Sequence, residues 1–375
     1  MDYLEKLTLY LSKVGTTKTY KGYWFKVYDC LVILVCGCLC GFGNLKQIHR
    51  YAKNRVTKDM LRKVFNIRKI PSYVQLRNIL CIIDSSQLEQ AFRAWVQWIV
   101  FDLEGKTVSF DGKTIKTTCN MKQYEQPIHI VSAHVSEVGI TIAQLSVHSK
   151  SNEIPAIQEL LKTLNLAGGV VVADALNTQR KTVSIIIDKK ADYVLPVKEN
   201  QGNMYKEIQE MFAYVLKDKV EQNEKNYNYT KLVEKRFEKA MSLLKIEWLQ
   251  EKDKWRNLTS IGLLKTTFIQ NDKEKIVLLY YISSKELTAA QLIYYARNEW
   301  KIESMHWLLD VNLKEELTKL SEQNAQESLK ILRKISLNSM KLYKQTNNLK
   351  DAISGLMQDC LMDPEFLIAI LRNIS

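Results

Sequence analysis

The chain has 375 residues and carries 54 Lys and Arg against 41 Asp and Glu, a net charge of +13. This length is enough for two or three domains with at least one substantial core. The charge is uneven, since residues 1–100 hold 16 cationic and 6 acidic side chains and the rest of the chain adds only +3. A positive field concentrated in one region predicts a surface that binds a polyanion. A generally basic protein with solvated lysines is the alternative.

Seven Cys residues show no regular framework, and their odd number indicates a reducing compartment. No signal-peptide pattern is seen at the start, so we expect a cytoplasmic protein. The most apolar stretch, CLVILVCGCLCGFG at residues 30–43, is too short to cross a bilayer and predicts a buried core helix, with no membrane partner. Its alternating cysteines lack the spacing of a zinc site.

The first hundred residues have helical periodicity. Residues 44–67 and 72–84 space Leu, Ile, Val and Phe three and four apart, with basic side chains between them. Pro71 separates the two stretches, and Ser72 is predicted to cap the second helix. Two helices joined by a turn would allow the second to enter a DNA major groove. An all-helical packing module fits the pattern equally well.

From about residue 106 the pattern becomes strand-like and then alternating. Runs rich in Val, Ile and Thr predict a strand at 107–116, a hairpin at 128–149 and a strand at 170–173. Helical patterns at 153–164 and 178–190 alternate with the last of these strands and with a further strand at 191–198. A meander followed by alternating helices and strands predicts a ribonuclease-H-like α/β domain with a mixed sheet.

Two carboxylates follow hydrophobic strand segments in this order. Asp111 comes after Val108–Phe110, and Asp174 comes after Val170–Ala173. An unpaired buried carboxylate is costly, so such a group is expected at a strand end where it meets a cation or solvent. A turn or a helix cap is the alternative for each. A phosphate loop is excluded at Gly112-Lys113-Thr114, because Thr107 stands where that loop needs a glycine.

A third acid, Glu303, lies in a segment predicted as one long helix from about 287 to 312. Positions three, four and seven residues from Glu303 are Ala296, Glu299, Trp300, His306, Trp307 and Asp310. One face of the predicted helix therefore carries both aromatic and acidic side chains. Tryptophans at this spacing are usually core residues. Several carboxylates on a wholly buried face would be hard to satisfy, so the pattern favours a cation site.

Eight short motifs stand in order along the chain. They are FDGKT (110–114), HIVSAH (129–134), KSNEIPAIQELL (150–161), VVVADALNTQ (170–179), ADYVLPVKENQ (191–201), YYISS (280–284), RNEWKIESMHWLLDV (297–311) and NAQESLKILRKISLN (324–338). On these motifs the chain resembles, over nearly its whole length, bacterial insertion-sequence transposases of the H-repeat-associated family, the ISAs group of DDE transposases. IPSYVQLRNIL, within the first hundred residues, also resembles the N-terminal domain that accompanies this family.

The resemblance implies that Asp111, Asp174 and Glu303 are the catalytic, metal-binding triad. Two Mg²⁺ ions are expected, for which Mn²⁺ can substitute, with Asp111 bridging both ions. The expected partners are double-stranded DNA, as terminal inverted repeats and target, and a second copy of the chain in the active complex. The expected location is the bacterial cytoplasm, in association with the nucleoid.

We therefore predict a basic helical domain at 1–100, expected to bind DNA, and a ribonuclease-H-like transposase domain at 101–375. Residues of about 202–286 are predicted to be a β-rich insertion, as in related transposases. Basic residues beside the motifs are candidate phosphate contacts, and each is as consistent with a solvated surface charge. These residues are Lys113, Lys150, Lys198, Arg236, Arg297 and Lys301.

Six positions depart from the family pattern. Glu299 stands where the family has His, Ser304 where it has Asn, and Glu199 where it has Gly, while Thr230–Leu232 replace His-Gly-Arg. Glu299, close before Glu303, adds negative charge where DNA phosphate is expected to approach. We therefore also consider a decayed or repurposed transposase that acts as a DNA-binding protein. A ribonuclease-H-like nuclease, which cuts DNA without joining it, is a further alternative.

Overall fold

The computed structural model describes residues 2–18, 25–115, 128–147, 153–217, 229–233, 236–270, 273–316, 320 and 322–373. The chain forms two compact units. Unit 1 comprises Met1–Phe101, Gly112–Lys150 and Glu303–Ser375, and unit 2 comprises Asp102–Asp111 and Ser151–Ile302. The predicted domain boundary near residue 100 remains a prediction, because these units are compact bodies built from separate segments of the chain.

Among the described residues, six helices precede the first strand, all in unit 1. The predicted cap at Ser72 is confirmed, since its side chain accepts a hydrogen bond from the backbone of Gln75, whose own side chain caps Ser72 in return. The stretch 44–67 forms two helices, because Asn54 caps a new one. The helices are α1 Tyr3–Leu11, α2 Val27–Leu39, α3 Leu45–Ala52, α4 Arg55–Phe65, α5 Tyr73–Ile82 and α6 Ser85–Ile99.

The apolar stretch at residues 30–43 forms most of α2, and the prediction of a core helix is confirmed. Every residue of α2 from Cys30 to Leu39 is buried, and α2 packs against the long helix α12, Gln323–Thr346. Its cysteines are free thiols, as are all the cysteines described in the structure. No helix in the described ranges is long and apolar enough to cross a membrane.

The remainder of unit 1 adds strands and helices from later in the chain. Strands β2 and β3 form the predicted antiparallel hairpin, and α12 packs against β3. These elements are β2 Ile128–Val135, β3 Ile140–Val147, α11 Lys301–Val311, α13 Ile353–Met362 and α14 Pro364–Arg372. Strand β1, Thr107–Ile115, and helix α11 are each continuous segments of which the first residues belong to unit 2 and the later ones to unit 1.

Unit 2 contains the alternating helices and strands. Its strands follow the order β1-β4-β5-β9-β8-β7-β6, in which β1, β4 and β5 are parallel and the later pairs antiparallel. Helix α10 packs against this sheet over Val172, Leu264 and Tyr281. The elements are α7 Glu153–Thr163, β4 Val170–Ala173, α8 Arg180–Asp188, β5 Asp192–Val197, α9 Gly202–Lys217, β6 Tyr229–Val233, β7 Arg236–Leu243, β8 Ser260–Gln270, β9 Lys273–Ser283 and α10 Ala289–Glu299.

The fold class predicted from the sequence is confirmed. A meander of β1, β2 and β3 leads into α7-β4-α8-β5, the order of a ribonuclease-H-like domain with a mixed sheet. Four antiparallel strands, β6 to β9, lie between β5 and α10 and form the β-rich insertion. Helices α1 to α6 form the helical N-terminal region. This arrangement places the acid-bearing segments of β1 and β4 on adjacent parallel strands.

Candidate active site

Asp111 lies within a strand rather than at its end. It is the fifth of nine residues in β1, whose pairing with β4 ends at Phe110 and Ala173. Strand β4 has only four residues, so β1 continues beyond its partner. Asp111 is therefore the first β1 residue after the ladder with β4, and it is partly exposed. A position directly after the end of a parallel ladder suits a carboxylate that must reach a ligand.

Asp174 follows β4 directly and caps a short 3₁₀ helix, Ala175–Asn177. Its Oδ1 accepts hydrogen bonds from the Asn177 backbone at 3.1 Å and from the Asn177 side-chain Nδ2 at 2.6 Å. Oδ2 accepts no hydrogen bond from any residue in the described ranges. The helix cap that the sequence allowed is thus present, and it orients the carboxylate while leaving one oxygen available to a ligand.

Asn177 and Glu153 support Asp174, and neither residue was predicted to do so from the sequence. The Asn177 Nδ2 that contacts Asp174 also donates to Glu153 Oε1 at 3.0 Å, and both residues are buried. The sequence feature that could have identified Glu153 and Asn177 is their position inside the motifs at 150–161 and 170–179. Periodicity could not identify them, because the contact joins a helix start to a 3₁₀ turn.

Replacing Asn177 tests this support. In Asn177→Ala, Asp174 loses a side-chain donor, and we expect cleavage of DNA to fall about 10- to 100-fold, with a matching rise in the metal concentration for half-maximal rate. The measurement is the rate of nicking of a supercoiled plasmid across a Mn²⁺ titration. Asn165→Ala, an exposed turn asparagine of the same unit, is the control and should behave like wild type. An unchanged half-saturating Mn²⁺ concentration in Asn177→Ala would contradict the role.

Asp111 and Asp174 occupy matching positions in unit 2. Each directly follows the last registered pair of β1 and β4, Phe110 with Ala173, and neighbouring strands lie about 4.8 Å apart. Two carboxylates at the same level of adjacent parallel strands form an oxygen-rich donor set, the kind that hard divalent cations prefer. The residues present in unit 2 therefore fit a divalent metal.

Glu303 lies in the first turn of α11 and is exposed. The prediction of one helix from 287 to 312 is wrong, since α10 ends at Glu299 and α11 starts at Lys301, with Trp300 between them. Ser109 Oγ donates to the Asn298 carbonyl oxygen at 3.0 Å, and Asn298 Nδ2 donates to Thr107 Oγ1 at 2.8 Å. These bonds tie the last turn of α10 to β1, and the Asn298 carbonyl also accepts the backbone N–H of Trp300, which caps α10.

The aromatic and acidic face predicted around Glu303 is divided by this interruption. Ala296 and Glu299 belong to α10, whereas His306, Trp307 and Asp310 belong to α11 with Glu303. A core role does not fit Trp307, whose exposed fraction is 60%. In the described residues no group of three or more His, Cys, Asp or Glu side chains is arranged to hold a metal ion. Asp111 and Asp174 belong to unit 2 and Glu303 to unit 1, and the full triad remains a prediction.

His306, on α11, is partly buried. Burial, together with the neighbouring cations Lys334 and Lys113, lowers its pKa to about 3. The imidazole is therefore neutral over the physiological range. A side chain of such low basicity is a poor general base at neutral pH.

The candidate phosphate contacts differ in their environments. Lys198 and Lys301 are exposed, and Arg297 donates through Nε to the buried carboxylate of Glu238 at 2.7 Å. Lys113 is mostly buried and is ion-paired with Asp310 and Glu315. The backbone of Arg236 starts β7, and Lys150 lies outside the described residues. Their contacts with DNA remain predictions.

Comparison with known proteins places this arrangement in a family. Residues 82–339 match the family described as Transposase DDE domain, and residues 9–96 match the one described as DDE_Tnp_1-associated. "Putative transposase YncI" of Escherichia coli O157:H7 is 29% identical, with 99% of this chain and 96% of that protein covered. "H repeat-associated putative transposase YhhI" of Escherichia coli K12 is 25% identical, with 99% and 98% covered.

Two further matches have lower coverage or lower similarity. "Putative transposase YncI" of Escherichia coli K12 is 34% identical over 50% of this chain and 75% of that protein. A solved piggyBac transposase synaptic complex with hairpin DNA aligns with 99% of this chain and 77% of that one, at 12% identity and a TM-score of 0.40, which is too low to carry an argument. The family match covers more than half of the chain, with relatives aligned from end to end. The chain belongs to the transposase DDE domain family, and it is a DNA-binding transposase whose reaction depends on divalent metal ions.

Proposed function

We propose that Asp111, Asp174 and Glu303 are the catalytic triad that moves an insertion sequence by cutting DNA and joining its end to a target. The observation that carries the proposal is the shared level of Asp111 and Asp174 after the β1–β4 ladder in unit 2. Glu303 is included because it stands at the triad position of the motif RNEWKIESMHWLLDV. The metal ions are proposed to be two Mg²⁺, with Mn²⁺ as a substitute.

The chain's own residues would prepare the site in three ways. Asp111 directly follows the β1–β4 ladder, and its carboxylate oxygens would serve as metal ligands. Asn177 donates two hydrogen bonds to Asp174 Oδ1, and these orient the carboxylate so that Oδ2 remains available to a ligand. Glu303 is exposed at a helix start, where the helix dipole favours a negative charge. Metal ions bound there supply activation of the attacking water or 3′-hydroxyl and stabilisation of the leaving oxygen.

The DNA partners are proposed to be the terminal inverted repeats of the element and a target duplex. The basic helices of residues 1–100 would hold the duplex, and residues 101–375 would carry out the chemistry, with the insertion at about 202–286. Two copies of the chain would bridge the two ends. The proposed location is the bacterial cytoplasm, at the nucleoid.

The alternative of a decayed or repurposed copy has specific residues in its favour. Glu199 and Ser304 are exposed, and Glu199 and Glu299 add negative charge beside two of the family motifs. A repurposed protein would bind the repeats and leave the DNA intact. A nuclease would cut without joining.

One assay separates these functions. The protein is incubated with a labelled duplex copied from the DNA that flanks the gene, a target plasmid and Mn²⁺, beside an Asp111→Ala control. We expect labelled DNA joined to the plasmid, and no product from the control. Cleavage without joining would indicate a nuclease, and a mobility shift without cleavage would indicate a DNA-binding protein; either result would contradict transposition by this chain.

A further inference from the structure

Unit 1 contains a cluster of buried charges that the proposed reaction does not use. We call it the ionic core; its members are Lys113, Asp310, Glu315, Lys330, Arg333 and Lys334. Glu315, Lys330, Arg333 and Lys334 are each 3% exposed or less. Placing ions in a protein interior is costly unless they are paired, and well-packed apolar residues often serve stability better. Stability alone is therefore a weak explanation for the cluster.

Lys113 is the centre of the contacts in this core. Its ammonium is paired with Asp310 and lies 3.3 Å from Glu315 Oε2. Lys113 is on β1, Asp310 is near the end of α11, and Glu315 follows α11. All three residues belong to unit 1, so the pair fastens β1 to α11 within one compact body.

Helix α12 supplies three cations of the ionic core, Lys330, Arg333 and Lys334. Burial raises the pKa of the Glu315 carboxyl, but the cations Lys113, Lys334 and Lys330 outweigh this and hold the pKa below its ordinary value. Lys334 Nζ also donates to Ser132 Oγ on β2 at 2.8 Å. The motifs at 129–134 and 324–338, which supply no member of the triad, thus meet around the ionic core.

The periodicity of β1 and of α11 shows which residues share a face with Lys113 and with Asp310. Asp111 and Lys113 are two residues apart on a strand and project from the same face. Glu303 and Asp310 are seven residues apart on α11, nearly two full turns, and also share a face. The ion pair between Lys113 and Asp310 therefore fastens the face of α11 that also carries Glu303 to the part of β1 that belongs to unit 1.

We propose that Lys113 and Asp310 are positioning residues, which fix α11, the helix that carries Glu303, to β1 within unit 1, and that Lys113 is not a DNA phosphate contact. The proposal rests on the proposed triad. A misplacement of about 1 Å at a reacting centre reduces rates about 100-fold. The ion pair has the geometry to prevent such a displacement, because it links the two elements directly.

The test uses the full-length chain with Lys113→Met, Asp310→Asn, both together, and the exchanged pair Lys113→Asp with Asp310→Lys. The exchange is made together with Glu315→Gln, because Glu315 Oε2 lies 3.3 Å from the Lys113 ammonium and would otherwise repel the new carboxylate. Arg256→Met is the matched control, since Arg256 is also ion-paired, with Asp188, but at an exposed site in unit 2. Each protein is measured for affinity to the labelled flanking duplex at several salt concentrations. The cleavage rate is measured at saturating duplex with Mn²⁺, and the thermal midpoint without DNA or metal.

We expect Lys113→Met to cleave about 100-fold more slowly at saturating duplex, with affinity within about threefold of wild type and an unchanged salt dependence. The double variant should be no slower than either single variant, and the exchanged pair should recover at least about tenfold of the lost rate. Recovery by exchange distinguishes positioning from a loss of folding, which the thermal midpoints report directly. Arg256→Met should stay within about twofold of wild type.

Two results would overturn the proposal. In the first, Lys113→Met binds the duplex more than about tenfold less tightly, and the slope of log affinity against log salt concentration falls by about one, while cleavage at saturating duplex is normal. Lys113 would then be a phosphate contact. Alternatively, the two single variants could add and the exchanged pair recover nothing, which would make the residues independent. A wild-type chain inert in the joining assay would instead reject the proposed function, and the positioning role with it.

Discussion

The Asp111→Asn protein is expected to lose DNA cleavage and joining by about three orders of magnitude or more, while it still folds and binds DNA. The amide replaces one carboxylate oxygen with a hydrogen-bond donor of the same shape, so it cannot bridge two cations. Asp111 is partly exposed and follows the β1–β4 ladder, so the substitution leaves the pairing of the strands intact. The measurement is the yield of cleaved and joined products over time with Mn²⁺.

Asp102→Asn is the matched control for this experiment. Asp102 precedes the same strand, and its carboxylate accepts a hydrogen bond from the Glu104 backbone at 2.8 Å, which an asparagine side chain can also accept. The control should cleave and join within about twofold of wild type. If Asp111→Asn retained wild-type rates of cleavage and joining, the proposal that Asp111 is a metal ligand after the β1–β4 ladder would be wrong.

Neutralising exposed cations of α4 is expected to have the largest effect on DNA affinity. Between residues 43 and 83 Asp59 is the only acid, and Arg55, Lys58 and Lys63 are exposed on α4. The triple replacement by Gln should weaken duplex binding about 10- to 100-fold at moderate salt and lower the salt slope by roughly 0.9 for each phosphate that the protein no longer neutralises. The measurement is affinity for a labelled duplex across a salt series.

The control replaces the same number of cations in unit 2, Lys162, Lys181 and Lys189, with Gln. Its affinity and salt slope should remain near those of wild type. If both triple variants lost affinity equally, net charge rather than the helical N-terminal surface would account for binding. If the α4 variant bound normally, the proposal that residues 1–100 hold the duplex would fail.

Much of the fold was predictable because local patterns and tertiary packing agree in this chain. The run from Cys30 to Gly43 is apolar on all sides, and α2 is accordingly buried on all sides. Ser72 combined with Gln75 is a capping box in sequence and in structure. The Val-rich run before Asp174 predicted β4, since a strand buried on both faces reads as a short continuous segment of β-branched hydrophobic residues.

The features that were missed depend on contacts between distant residues. Ser109 and Thr107 on β1 bond to Asn298 beside the end of α10, about 190 residues away in sequence, and no helix propensity at Trp300 indicates those contacts. The length of β1 beyond Asp111 reflects the shortness of β4. The partners of Lys113 lie about 200 residues downstream, so its basic character was visible from the sequence and its ion pairs were not.

The central claim is that the acid on β1 holds the catalytic metal, and a change of metal preference at Asp111 tests it most directly. A thiolate is a poor ligand for Mg²⁺, which requires oxygen donors, and is better accepted by Mn²⁺. Joined product is measured for wild type and Asp111→Cys with each metal. We predict that wild type joins DNA with both metals, whereas Asp111→Cys gives no product with Mg²⁺ and a measurable product with Mn²⁺. Equal joining by Asp111→Cys with both metals would contradict the claim.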